Sequence, residues 1–198
     1  MAKFIAWFNQ TAPGADRAIL YAPVRSALAH LYFESIHPFD DGNGRIGRAL
    51  AEKALSQGLG RPAMLSLSRT LEAKRKQYYE TLQSAQRGNE VTSWVRWFVA
   101  MVAEAQRDAE AQIHFIASKA RFFRKFGDLF NERQLKVIQR MFEAGPAGFI
   151  GGMNARKYVT LTGVSKATAT RDLQELAKCG ALVSLGGGRS VRYEIGPV

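Results

Sequence analysis

The apolar residues of this chain recur with a helical period from the N-terminus to about residue 178, and only beyond that do they alternate. A 3.6-residue period predicts amphipathic helices, and a two-residue period predicts half-buried strands, so the chain is expected to be mainly α with one small β element near its end. Phe4, Ile5 and Phe8 predict a short helix ending near Asn9, and the Pro and Gly within 11–16 predict a loop. Pro23 suits a first helical turn. Val24, Ala27, Leu28, Leu31 and Tyr32 then make one face of a helix running to about Ser35. A further helix is expected over about 43–57, carrying Ile46, Ala49, Leu50, Lys53 and Ala54 and ending at Gly58, Gly60 and Pro62. Another covers about 68–86. A long one starts at Thr92 and reaches Phe126, with Trp94, Trp97, Phe98, Met101 and Val102 as its core stripe.

After Gly127 the punctuation becomes denser. Asn131 and Gln134 have capping-box spacing before a helix to about Glu143. Short helices fit 154–162 and, after a turn at Gly163-Val164 and a cap at Ser165, 166–178. Gly180 sits where a helix C-terminal glycine belongs. Residues 181–185 and 190–195 alternate around Gly186-Gly187-Gly188 and predict a β-hairpin. We place the domain boundary near residue 115, giving domains 1–115 and 116–198.

The chain has 198 residues, 46% hydrophobic and 23% charged, which is ordinary globular usage. Cys179 is the one cysteine, so no internal disulfide can form, and we expect it to be partly buried. His30 and His114 lack partners at metal-ligand spacing and read as structural. No apolar run approaches the roughly 20 residues that span a bilayer, and the N-terminus lacks a signal-peptide core. These features lead us to expect a cytoplasmic protein with no membrane partner. The formal net charge of +11 is unevenly spread. Residues 1–112 hold 14 Lys and Arg against 11 Asp and Glu, whereas residues 113–198 hold 14 against 6. A polyanion partner such as DNA is therefore expected for the C-terminal part.

The segment His37-Pro38-Phe39-Asp40-Asp41-Gly42-Asn43-Gly44-Arg45-Ile46-Gly47-Arg48 concentrates chemistry at a loop-to-helix junction. Backbone N–H groups at a helix start are unpaired, and the helix dipole favours anions there. Glycine lets a phosphate come close. Arg45 and Arg48, three apart, can face one anion. Asp41 is a hard oxygen ligand of the kind Mg²⁺ takes beside phosphate oxygens. His37 is suited to removing a proton near neutral pH. Pro38 and Phe39 are expected to fix the loop, Phe39 by burial.

This segment matches, at nine specified positions, the motif His-Pro-Phe-x-Asp/Asn-Gly-Asn-Gly-Arg-x-x-Arg, and so resembles the Fic family. The resemblance covers roughly residues 1–112. It implies a helical Fic-type core and transfer of AMP from ATP to a Ser, Thr or Tyr hydroxyl of a target protein. By it, His37 is the catalytic base and Asp41 holds Mg²⁺. Gly42, Asn43 and Gly44 cradle the phosphates, and Arg45 and Arg48 bind the β- and γ-phosphates. Fic cores usually carry a β-hairpin flap upstream of the motif. The 36 residues before His37 read without one, so the chain looks like the C-terminal portion of a larger Fic protein. The family's inhibitory helix has the pattern Ser/Thr-x-x-x-Glu-Gly/Asn. Ser68 to Glu72 and Ser190 to Glu194 match it only in part, so inhibition is expected from another segment or a partner chain.

The order helix, helix, turn, helix, hairpin over 128–198 resembles a winged helix-turn-helix. It implies a recognition helix presenting Ser165, Lys166, Thr168, Thr170 and Arg171, a wing carrying Arg189 and Arg192, and DNA or a second copy as partner. The alternative is a DNA-binding or interaction protein whose Fic portion senses nucleotide or is inactive for lack of the flap.

Overall fold

The computed structural model describes residues 1–197, apart from the side chain of Arg189. Nine α-helices and one antiparallel hairpin make up the regular structure of the described residues. They divide into two compact units, Met1–Ala109 and the residues from Glu110 onward.

The first unit is built around helices α2 (Ala22–Ile36) and α3 (Asn43–Leu59), which pack antiparallel. A Cβ on Gly47 would lie 2.3 Å from Glu34 Oε1, and one on Gly58 would lie 2.4 Å from the Cβ of Ala22. Glycine at both ends of α3 therefore allows α2 to lie against it along its whole length. Ala51 and Ala54, both fully buried, continue the same small-residue stripe. Through this stripe the α2 side chains reach the α3 backbone. Ser26 Oγ donates to the Ala51 carbonyl at 2.8 Å, and Arg25 Nη1 donates to the Ala54 carbonyl at 3.3 Å.

The face of α3 is thus rotated from the expected one. Ile46 is exposed, and Asn43, Gly47, Ala51, Ala54 and Leu55 point inward. Helix α2 departs further, because it is buried nearly all round rather than along one stripe. Arg25, Ser26, His30 and Glu34 are inside together with Ala27, Leu31 and Phe33. The polar residues hid this burial in the sequence, and their partners explain it. Arg25 donates to Thr11 Oγ1, Gln57 Oε1 and the Phe8 carbonyl, and its guanidinium lies over the Phe8 ring. These acceptors carry no charge, and burial lowers the pKa of the guanidinium.

Helix α1 (Ala2–Gln10) packs Phe4 and Phe8 against Ala29, Phe33 and Ala54, leaving Ile5 exposed. Where one helix is expected over 68–86, there are two, α4 (Leu67–Ala73) and α5 (Arg75–Ala85). The break at Lys74 has no Gly or Pro to announce it, and the Lys74 ammonium pairs with Glu104 on α6 (Thr92–Phe126). The aromatic stripe of α6 is core as its spacing predicts. Trp94 and Phe98 are fully buried, and Trp94 Nε1 donates to the Ala27 carbonyl at 2.8 Å.

The second unit packs the end of α6 with α7 (Glu132–Phe142), α8 (Ala155–Thr162), α9 (Lys166–Lys178) and the hairpin β1 (Leu182–Leu185) and β2 (Arg192–Ile195). The capping box forms, with Asn131 accepting from the Gln134 N–H and Gln134 accepting from the Asn131 N–H. The hairpin pairs Leu182 with Ile195 and Leu185 with Arg192. A buried polar knot ties three helices together. Asp172 on α9 accepts from Tyr158 Oη of α8 at 2.7 Å and from Arg133 Nε of α7 at 3.3 Å. Cys179, expected to be partly buried, is exposed at the end of α9, where its Sγ faces the Leu176 carbonyl. Among the described residues no helix is long and apolar enough to cross a membrane.

His30 is stacked on Trp94, with Nε2 3.0 Å from Tyr78 Oη, and burial lowers its pKa to about 4. The unfolded chain, with an ordinary histidine near 6.5, binds the proton more readily. This residue's stabilising effect is complete above about pH 6.5 and fades as pH falls towards about 4. Urea unfolding should show wild type losing about 2 kcal/mol relative to His30→Gln between about pH 7 and pH 4.5. Parallel pH dependence in the two proteins would refute this assignment.

Candidate active site

The last turn of α2 ends at Ile36, and His37 follows as its C-terminal cap with φ 46° and ψ 59°. It is the one non-glycine residue with positive φ among the described residues. That left-handed position normally takes glycine, because a Cβ there crowds the backbone. The His37 N–H still donates to the Phe33 carbonyl at 3.0 Å. The turn brings the imidazole back beside Glu34, with Nδ1 3.8 Å from Glu34 Oε2. The His37 side chain is 63% exposed and that of Glu34 only 7%.

The loop from 38 to 42 is closed by Asn43, the first residue of α3. Its Oδ1 accepts from the Phe39 N–H at 3.0 Å, and its Nδ2 donates to the Phe39 carbonyl. The Phe39 ring, expected to be buried, is 47% exposed, so the loop is fixed through this residue's backbone. Asn43 is buried, and its amide serves the loop rather than pointing at an incoming anion. Only its backbone N–H remains for that purpose.

Gly42 caps α3 with φ 85°, and its carbonyl accepts the first intrahelical bond, from Ile46 N–H at 3.0 Å. The N–H groups of Asn43, Gly44 and Arg45 have no acceptor within the helix, by their position in its first turn. Both arginines lie over the two glycines flanking this turn. A Cβ on Gly42 would be 3.4 Å from Arg45 Nη2, and one on Gly44 would be 3.2 Å from Arg48 Nη1. Arg45 Nη2 also reaches Asp41 Oδ2 at 3.2 Å, while Asp41 Oδ1 accepts the Gly42 N–H at 2.6 Å. Arg48 Nε donates to Ser68 Oγ of α4 at 3.0 Å. Ser68 opens one of the partial inhibitory patterns, yet its Glu72 pairs with Arg75 instead. The arrangement is an open, positively charged start of a long helix, with a base on one side and one carboxylate on the other.

A family model for the Fic/DOC family matches residues 1–55. The chain is also 34% identical over 105 residues to the protein adenylyltransferase Fic of Culex quinquefasciatus and 33% identical over 105 residues to that of Aedes aegypti. Each match covers 52% of this chain and 18% of the relative, so the chain spans about a fifth of the length of the relatives it matches. A solved Fic family protein from Desulfovibrio desulfuricans G20 is 21% identical, with a TM-score of 0.49, over 98% of this chain and 53% of that one. Residues 149–196 match a model described as the C-terminal domain of the DIP2311-like transcriptional regulator.

The residues expected to meet DNA are gathered around α9. Ser165 caps the helix, accepting from the Thr168 N–H at 3.1 Å, and Thr170 Oγ1 bonds back to the Lys166 carbonyl. These hydroxyls are thus committed to the helix itself. Lys166 and Arg171 are exposed. Lys166 and Thr170 line a groove with Asn154, Arg156 and Arg192. The Arg189 side chain lies outside the described residues.

Sequence reasoning missed Glu34, Gly47 and the contact of Ser68 with Arg48. Gly47 had a signal in its spacing from Ala51, Ala54 and Gly58, which marks a close helix contact. Glu34 and Ser68 had none, because their roles depend on the turn at His37 and the placement of α4.

At the cap, His37→Gly should be about 1 kcal/mol more stable than His37→Ala, since both lack the imidazole and only glycine adopts the left-handed position without a Cβ clash. Urea unfolding of the two variants measures it, and equal stability would show that the cap is not strained.

Proposed function

We propose that this chain is the nucleotide-handling part of a protein adenylyltransferase, moving AMP from ATP to a hydroxyl side chain of a target protein. The observation that carries the reading is the left-handed His37 held beside an open helix start over which Arg45 and Arg48 lie. A phosphate chain would meet the N–H groups of Asn43, Gly44 and Arg45, with the two guanidiniums offsetting its charge. His37 would accept the proton of the attacking Ser, Thr or Tyr hydroxyl. As that O–H bond breaks, the oxygen bonds to the α-phosphorus, and the bond from that phosphorus to the pyrophosphate oxygen breaks. Positioning and charge stabilisation supply most of the rate.

The residues present fit Mg²⁺ only together with nucleotide. Among the described residues no group of three His, Cys, Asp or Glu side chains could hold a metal. Asp41 is 92% exposed, and each of its oxygens keeps lone pairs beyond its one partner. It would supply one ligand, with phosphate oxygens and water as the others, and the ion would neutralise phosphate charge.

The test is transfer of label from α-phosphate-labelled ATP to protein, comparing wild type with His37→Ala. Loss of the proton acceptor should reduce transfer at least about 100-fold. Undiminished transfer by His37→Ala would overturn the reading. ATP binding without any transfer, even with the target supplied, would favour nucleotide sensing.

A second reading concerns the C-terminal unit. Arg156, Lys166 and Arg192 line one groove, and the helix-helix-hairpin order is that of a winged helix-turn-helix. This supports binding of duplex DNA with α9 towards the major groove. Such binding should weaken steeply with salt, and Lys166→Ala with Arg171→Ala should lower affinity and flatten the salt slope by up to about 2. A salt-insensitive or unchanged affinity would refute it.

A further inference from the structure

We propose that Glu34 is a positioning residue for His37, holding the imidazole with its Nδ1–H towards the carboxylate and its Nε2 lone pair outward to the attacking hydroxyl. The inference rests on the adenylyl-transfer reading for its consequence, but its geometry stands alone.

Glu34 has a single outlet. Its Oε1 is buried with no hydrogen-bond partner, facing the α3 backbone where a Cβ on Gly47 would come within 2.3 Å. His30 Cε1 borders the same space, and its Nδ1 is also without a partner. The other oxygen, Oε2, has His37 Nδ1 as its ion-pair partner at 3.8 Å. The contact follows from local backbone geometry. Glu34 and His37 are three apart, and the left-handed turn at His37 swings its side chain back over the last turn of α2. A carboxylate at 7% exposure is costly unless partnered, and its one ion pair among the described residues is with His37.

The electrostatic surroundings are consistent with this geometry. Burial pushes the Glu34 carboxyl up, while His37 and then Arg48 pull it down. The groups that face it are His37, Arg48, His30 and Tyr78. Of these, His37 is the one whose ring nitrogen can donate to Oε2. At 3.8 Å the pair is longer than a hydrogen bond, as often holds for catalytic groups before substrate tightens them. When His37 accepts the hydroxyl proton on Nε2, the imidazolium charge forms beside the Glu34 carboxylate and is offset by it. The proton then leaves His37 for solvent, and Glu34 undergoes no bond change.

The experiment reads the His37 tautomer directly in the full chain. Two-bond ¹⁵N–¹H spectra of histidine-labelled protein are recorded well above neutrality, with His37 assigned by its loss in His37→Ala. Wild type should carry the proton on Nδ1. Glu34→Leu, which fills the same space without an acceptor, should shift His37 to the Nε2–H form that free histidine prefers. Glu34→Gln keeps shape and an acceptor oxygen and should retain Nδ1–H, which guards against misfolding of the leucine variant. In the labelling assay Glu34→Leu should slow transfer about tenfold with the ATP concentration dependence unchanged. An Nε2–H tautomer in wild type, or the same tautomer in Glu34→Leu, would overturn the proposal. A tautomer that responds to Glu34 alongside transfer that survives His37→Ala would leave the positioning intact and sink the adenylyl-transfer reading instead.

Discussion

The close approach of α2 and α3 is the constraint on which the first unit depends. Two helices normally pack 8–10 Å apart, with the distance set by the side chains between them. Here the α3 side of the contact is Gly47, Ala51, Ala54 and Gly58, so backbone meets side chain directly. Small residues contribute little apolar area themselves. What they offer is access: Ser26 and Arg25 reach carbonyls already bonded within α3 and satisfy themselves there. A buried guanidinium is tolerable only when its donors are met, and removing such partners typically costs about 3–5 kcal/mol. Arg25 meets that condition with neutral acceptors from α1, α3 and the 11–21 connection, so one side chain ties together three parts of the chain.

The same approach builds the site. Because α3 begins where α2 ends, the connection is only six residues long, 37–42, and must reverse direction in that span. Left-handed residues at both of its ends, His37 and Gly42, make the reversal. Glycine at Gly42 carries no conformational penalty, whereas histidine at 37 does. A backbone cost of this kind persists where the surroundings over-determine the conformation. The Asn43 amide, bonded to both backbone groups of Phe39, is the closure that does so. The residue at the costly position is a histidine whose ring is 63% exposed beside Glu34.

Much of this was legible in the sequence, and the exceptions share a cause. The helical period, the caps at Asn131 and Ser165, the aromatic stripe of α6 and the hairpin are local signals, and local signals decide them. The charged loop-helix junction was legible because its chemistry is contiguous. What failed was anything set by a neighbour. Helix α2 was read as one-faced because Arg25, Ser26, His30 and Glu34 look solvent-facing until α1, α3 and Tyr78 surround them. The break at Lys74 is accompanied by an ion pair with Glu104, thirty residues away. The side-chain amide of Asn43 bonds both backbone groups of Phe39, a contact that depends on how the loop folds back and has no signal in the local sequence. Cys179 was read as partly buried from its place at a helix end, where the structure leaves it exposed.

The two units present positive charge in different ways. In the first, unpaired N–H groups fixed by a helix start are supplemented by two arginines, each lying over a glycine. Such donors are preorganised, so a bound phosphate is positioned as well as attracted, and salt screens them less than mobile side chains. In the second, Lys166, Arg156 and Arg192 are long side chains on three different elements, and among the described residues none of them is in an ion pair. Asp172 is committed to Tyr158 and Arg133, and Glu143 to Arg140. Adjustable cations of this kind suit an extended polyanion whose phosphates lie at several places, and they give affinity that depends on ionic strength. Fixed donors favour one geometry and adjustable donors tolerate many, and that is the physical difference between the two arrangements of positive charge.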